Sequence, residues 1–322
     1  MTGHAKLPLS RRALLGATAL LTTAADEPYP NRPVRILLGL SAGGLADISA
    51  RIVAQSLTEK LGAPFVVENR PSAGGIVAAQ AAARSAPDGH TLIFLSSTAA
   101  ISKALFRSLP YDPIEDFTPI ISVIHFDLVL MTSPTSAIRS VADLRAPRAR
   151  PLTLGTHPNG TTQYLLAEML RLQMDLPITL VPYRSTPELF TALQRGDVDV
   201  TIDGYAALSG QFAAGAVRPL ASSGRQRSAL LPDVPTFAEV GVPNCELLGW
   251  NALFAPARTP QSIVNTLHRE VLATLRQPTT LTRIRELGVE VGALGPEDLA
   301  ARLRDDIATY NSVIDRSGME RL

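Results

Sequence analysis

Residues 39–43 read Gly-Leu-Ser-Ala-Gly, the G-x-S-x-G arrangement in which a serine on a tight strand-to-helix turn can act as a nucleophile. The context suits it. Residues 34–40 (VRILLGL) form an apolar run of strand length, and Leu45, Ile48, Ile52, Leu57 and Leu61 follow at helical spacing. Two features weigh against acyl-transfer chemistry at Ser41. The motif follows the first strand beyond an N-terminal export segment, so no earlier strand can supply an oxyanion loop. The histidines His90, His125, His157 and His268 include no late loop base: His268 falls on an amphipathic helix, His90 in an Asp-Gly turn and His125 near a crossing between two halves of the chain.

The same turn suits a second chemistry, the capture of an anion. Beyond the carboxyl ends of parallel strands, backbone N–H groups at helix N-termini point outward and hold negative charge with little help from basic side chains. Three turns have the composition for this. Ser41, Ala42, Gly43 and Gly44 permit close backbone approach, Ser97 and Thr98 bring hydroxyls, and residues 155–162 offer Gly155, Thr156, Asn159, Gly160, Thr161 and Thr162. Each turn could equally be an ordinary strand-to-helix connection, and it is their joint placement that favours an anion. Arg184, just past a strand ending at Pro182, is the one basic side chain placed to help. Asp47 either satisfies the first turn of its helix or recognises a ligand amino group, and Asp203, at a strand end, carries the same two readings.

These turns need elements to hold them. Strand-like runs at residues 34–40, 65–68 and 91–95 alternate with helical or turn segments, which implies a parallel sheet covered on both faces. Residues 109–119 hold Pro110, Pro113 and Pro119 and are expected to be a long connection. A second alternating set follows, with strands at 127–132, 152–156, 178–182 and 198–202 and helices at 161–174 and 188–195. After a strand at 217–221 the pattern returns to the first type, with a strand at 252–255 and two amphipathic helices around Leu267 and Leu303. The expected fold is α/β and two-lobed: residues 26–124 with 223–322 form an outer lobe and 125–222 an inserted one, each a mostly parallel sheet flanked by helices. Two crossing strands join them and allow a hinge.

Composition narrows the function. With 30 Lys+Arg against 29 Asp+Glu and no basic stripe, nucleic acid is excluded as a partner. Cys245 is the only cysteine, so no internal disulfide forms, and the scattered histidines give no metal-ligand spacing. Neither G-x-G-x-x-G nor the phosphate-loop pattern occurs, so no cofactor is indicated. Residues 1–25 have the form of an export signal, with Lys6, Arg11 and Arg12 before an apolar stretch and Ala24-Ala25 before Asp26. The paired arginines leave both the general and the twin-arginine export routes open. A periplasmic, monomeric protein is expected.

In order, the segments YPNRPVRILLGLSAGGLAD (29–47), VVENRPSAGG (66–75), APDGHTL (86–92), LPYDP (109–113), DFTPI (116–120), VPYR (181–184), LQRGDVD (193–199), LPDVPTFAEVG (231–241) and FAPARTP (254–260) resemble the Bug family, the TctC-like periplasmic receptors of tripartite tricarboxylate transporters. The resemblance covers nearly the whole chain beyond residue 25. It implies a hinged protein that closes on a mono-, di- or tricarboxylate and presents it to a membrane permease, with ligand contacts at the three turns above. It adds Tyr183 and Ser185 as cleft candidates and supports Asp203. The chain departs from the family pattern at Leu40-Ser41, where Phe-Pro is usual, at residues 76–78, where a glycine is common, and at Gln163, where a histidine is usual. A receptor that reports its ligand to a membrane sensor would have the same pocket, and the serine hydrolase remains a third reading.

Overall fold

The computed structural model describes residues 29–322; the expected export signal lies outside them. Alternation of strand and helix runs as expected through β1 (Val34–Leu38), α1 (Leu45–Leu61), β2 (Phe65–Asn69), α2 (Ile76–Ala83) and β3 (Thr91–Ser96), but the turn expected at Ser96-Ser97-Thr98 opens a further helix, α3 (Thr98–Leu105). β1 ends at Leu38, two residues short of the apolar run, because Gly39 and Leu40 turn toward the neighbouring loop at residues 70–75. β1 pairs in parallel with β2 on one side and β3 on the other, so all three carboxyl ends face the same way.

β4 (Phe117–Thr132) is the longest strand among those described, and it threads both halves of the molecule. Residues 117–127 pair antiparallel with β9 (Leu248–Pro256), while 128–131 pair with β7 (Val200–Gly204) and 129–132 with β8 (Arg218–Ser222). Its start corrects the expectation that residues 109–119 are all connection. Pro119 lies inside β4 where the register shifts between Pro119 and Ile121, a bulge that tolerates a residue without an N–H. Past β4 come β5 (Leu152–Thr156), α4 (Thr162–Met174), β6 (Ile178–Pro182) and α5 (Thr186–Arg195), with β5 parallel to both β6 and β7. α6 (Tyr205–Ala213) follows β7. The expected strand at 198–202 begins two residues later, at Val200, although the Asp199 N–H already donates to Thr153 O at 3.1 Å.

From β8 the chain returns through residues 223–247 to β9, and α7 (Gln261–Leu275), α8 (Pro278–Glu286), β10 (Glu290–Val291) and α9 (Pro296–Ser317) complete the first half. β9 lies between β3 and β4, and β10 pairs with β4 at Ile124 and His125. The result is two lobes, each a mixed sheet with helices on its faces. Three apolar clusters match those faces. The largest is continuous between lobes: Leu37, Ala100 and Trp250 belong to one side and Leu154, Leu166 and Ile202 to the other. α9 ties them together, its buried Leu303 and Tyr310 lying in that shared cluster, and each fully buried leucine contributes about 1.5–3 kcal/mol. No helix among the described residues is long and apolar enough to cross a membrane.

Candidate functional site

The loops after β1, β3 and β5 converge on one cavity of about 860 Å³ between the lobes. Three helices begin at its wall: α1 with Leu45 and Ala46, α3 with Thr98, and α4 with Thr162 and Gln163. Each presents first-turn N–H groups that no helical carbonyl can satisfy, with the positive end of the helix dipole behind them. No charged side chain is among the residues lining the cavity.

Local chemistry explains how each loop is held. Gly43 sits at φ +82°, a left-handed conformation that suits glycine, and its N–H donates to Asp47 Oδ2 at 3.0 Å. Asp47 also accepts from Arg51 Nε (2.9 Å) and Asn69 Nδ2 (2.9 Å), and the hydrogen bond from Arg51 leads in holding its carboxyl down at about 2. Asp47 is buried, fully partnered and absent from the cavity wall, so it acts as the brace of the β1 loop. Ser97, buried beside β9, receives its position from an N–H donated to Trp250 O at 3.0 Å. In the other lobe Thr161 caps α4, its hydroxyl accepting from Tyr164 N at 3.2 Å.

Of the residues singled out in the sequence, Ser41, Ala42, Gly44, Ser97, Thr98, Asn159, Gly160, Thr161 and Thr162 line the cavity. Gly43, Asp47, Gly155, Thr156, Tyr183, Arg184 and Asp203 do not. Gly155 is inside β5, where an added Cβ would lie 2.7 Å from Leu189 Cδ1, and Thr156 is buried at the end of that strand. Tyr183 donates its N–H to Thr156 O at 2.8 Å and packs on the apolar cluster around Val129; Arg184 is exposed at the start of α5. Asp203 is 2% exposed and accepts from His157 Nε2 (3.0 Å), Thr186 Oγ1 (2.7 Å), Gln163 Nε2 (3.2 Å) and Gly204 N (2.8 Å). Burial alone would raise its pKa, but the donors, His157 foremost, hold it below the ordinary value. It knots β7, α5 and the β5–α4 loop together behind the cavity wall.

Sequence reasoning missed several lining residues. Gly74 lay within a quoted motif and Ser102 one turn beyond Thr98 on α3, so helical spacing could have found the latter. Phe126 and Asn251 come from β4 and β9 and reach the cavity only through long-range strand pairing, which leaves no local signal. Ser41 is exposed on the cavity side of its loop, and none of the described histidines hydrogen-bonds to it. His90 and His268 bond backbone carbonyls, His157 bonds Asp203, and His125 stands 3.5 Å from Glu290. Among the described residues no group of three or more His, Cys, Asp or Glu could hold a metal ion.

The family model described as tripartite tricarboxylate transporter family receptor matches residues 49–319. The chain belongs to this family. Among curated relatives of this receptor, a protein of the TAR-I ttuE-ttuC' intergenic region of Agrobacterium vitis is 33% identical over 312 residues, 95% of this chain and 90% of the relative. Protein BugT of Bordetella pertussis is 30% identical over 309 residues, covering 94% and 95%. Among solved structures, R. palustris Rpa4515 with adipate is 33% identical with a TM-score of 0.76, covering 91% of this chain and 100% of that one. MatC from Rhodopseudomonas palustris with bound malate is 29% identical with a TM-score of 0.73, covering 89% and 100%.

Where β4 passes between the lobes of the receptor, His125, Asp127 and Glu290 crowd together. Glu290 accepts from Ser228 Oγ at 2.6 Å and Ala229 N at 3.1 Å. Asp127 Oδ2 is buried without a full hydrogen bond, and Gly224 is so close that a Cβ there would meet it at 2.6 Å. Burial first, and the Glu290 carboxylate second, push Asp127 up to about 6, the nearby Ser222 hydroxyl offsetting a part. The folded receptor therefore keeps this proton through a range in which the unfolded chain, titrating near 3.9, has lost it. Stability falls as pH rises from about 4 to about 6 and stays lower above that. Asp127→Asn is expected to be more stable than wild type by up to about 2–3 kcal/mol at pH 7.5, with the gain gone at pH 4, in paired urea titrations.

Proposed function

We propose that this receptor binds a small carboxylate anion in the cavity between its lobes and, after closing on it, passes it to the membrane permease of a tripartite transporter. The observation that carries the reading is the meeting of three helix N-termini, with hydroxyls, glycines and amides beside apolar side chains, on a wall that has no charged side chain. Such a wall holds an anion through oriented dipoles, and closure strengthens them by removing water. The bound adipate and malate of its structural neighbours agree with it. Under this reading Ser41, Ala42, Gly44, Ser97, Thr98 and residues 159–162 contact the ligand, while Asp47 and Asp203 brace the loops that do so. Residues 26–124 with 223–322 make one lobe and 125–222 the other. The protein works as a monomer in the periplasm after loss of residues 1–25, and it has no catalytic role.

Pairs of each acid with its primary amide test the reading. Acids from a panel of mono-, di- and tricarboxylates should raise the melting temperature, by the equivalent of about 2.7 kcal/mol at a hundredfold excess over Kd, and the amides should not. Equal shifts with amides, or none with any acid, would sink it. Ester hydrolysis that disappears in Ser41→Ala would restore the enzymatic alternative.

A further inference from the structure

β9 lies between β3 and β4, and one residue from each of these strands meets on the floor of the cavity. Ser96 stands directly across from Asn251, and Phe126 across from Gly249, two residues along β9, which puts Ser96, Asn251 and Phe126 on one face of the sheet. All three line the cavity. Trp250, between Gly249 and Asn251, points the opposite way and donates its Nε1–H to Asp306 Oδ2 at 2.7 Å. Phe126 takes the space over Gly249, where an added Cβ would strike its ring, and so stands next to Asn251 along the same face.

Asn251 is 4% exposed, yet its carboxamide has no hydrogen-bond partner among the described residues, and neither has Ser96 Oγ. A buried amide left in this state is costly, because its oxygen and both N–H groups have given up water. Only a group inside the cavity can serve them. A carboxylate serves the N–H groups and not the amide oxygen, and hydrocarbon serves neither. An ammonium group would meet no carboxylate, because none lines the cavity and Asp47 and Asp203 are committed to Arg51 and His157 behind the wall. A hydroxyl both donates and accepts. Ser96 is two residues from Thr98, where α3 begins, so Asn251 and Ser96 lie within about 7 Å of amides that hold the carboxylate, a distance that suits a hydroxyl on the neighbouring carbon.

We infer that Asn251 is a specificity-determining residue: its carboxamide, with Ser96 Oγ beside it, reads a hydroxyl on the carbon next to the ligand's carboxylate, so that 2-hydroxy acids are preferred to acids with hydrogen or ammonium at that carbon. This rests on the carboxylate reading above and deepens it. A site built to hydrogen-bond a hydroxyl rejects the analogue without one, since its own buried polar groups are then left unpaired.

Isothermal titration of the full receptor with acids that share a skeleton and differ only at that carbon tests the inference. Malate, succinate and aspartate make one set, lactate, propanoate and alanine a second, and 2-hydroxyhexanoate, hexanoate and norleucine a third. In whichever set binds, the hydroxy acid is expected to bind about tenfold more tightly than either companion. Asn251→Ala should bring the hydroxy-to-deoxy ratio to within about twofold of one while the affinity for the deoxy acid holds within about threefold, a split that a merely structural role would not produce. Asn251→Asp, which adds a charge to the wall, should weaken both of those acids and turn the preference toward the amino acid. Equal binding of hydroxy and deoxy acids by the wild type, a hydroxy preference that survives in Asn251→Ala, or no turn toward the amino acid in Asn251→Asp would overturn the inference and leave the carboxylate reading standing. Binding by none of these acids would overturn it too, and the wider panel of acids and amides then decides the carboxylate reading by itself.

Discussion

Alanine at position 39 is expected to lower ligand affinity at least tenfold and to destabilise the receptor by about 1–3 kcal/mol, the usual cost of forcing atoms into a filled site. A Cβ on Gly39 would lie 2.4 Å from Gly75 Cα and 2.9 Å from Gly75 O. Both are backbone atoms, so no rotamer change relieves the clash and the two loops must part. One loop carries Ser41, Ala42 and Gly44 and the other Gly74, all on the cavity wall. The hydrogen bonds from Arg70 N to Leu38 O (2.7 Å) and from Ser72 N to Gly39 O (3.4 Å) would stretch with them. Urea unfolding and calorimetry with the tightest acid read both effects. Wild-type values in each would mean that the close approach is dispensable. The first glycine of the G-x-S-x-G pattern thus has a backbone-contact reason that owes nothing to the serine.

Asp203→Ala should be the most damaging single change, costing about 3–5 kcal/mol by leaving buried donors without their shared carboxylate. Thr186, Gln163 and His157 all lose a partner at once, and the last two belong to the stretch that places Asn159, Gly160 and Thr161 on the cavity. Affinity should fall with stability. Asp203→Asn keeps the shape with one acceptor oxygen fewer, and an intermediate loss is expected. Because the folded-state pKa is lowered, the carboxylate's contribution is complete above the unfolded value near 3.9 and is lost as pH falls through the lowered one. Wild type should therefore lose its advantage over Asp203→Asn in acid, in melting curves between pH 2.5 and 7. A gap between the two that is constant with pH would contradict a charged Asp203.

Much of this arrangement was legible before the fold was known, and the limits have physical causes. Apolar runs of strand length such as VRILL and TLIFL, bounded by turn residues, read as largely buried strands, and the loops at their carboxyl ends follow from that. α3 was invisible as a helix because it is short, Ala-rich and opens on Ser-Ser-Thr, which reads as a turn; α6 was missed because Ser209 and Gly210 interrupt any periodic face. Asp47 and Asp203 were each left between two roles. Only their depth and their hydrogen-bond donors, which sequence does not carry, place them behind the wall. Arg184 looked useful because it follows a strand, yet it emerges on the surface, where its N–H meets Glu188.

The position of β9 dictates an order of assembly. The second lobe's strands β5 to β8 are consecutive in sequence, and they close on the last residues of β4 once the chain has been made as far as Ser222. The first lobe has no such independence. Its β3 edge must wait for β9, some 150 residues later, and α3 must wait for α9, which begins at Pro296. Until then the half that emerges first holds an open sheet edge and an uncovered apolar face, the kind of surface that chaperones recognise. Covering that face therefore depends on segments far downstream, so the first half stays open long after its own strands have been made.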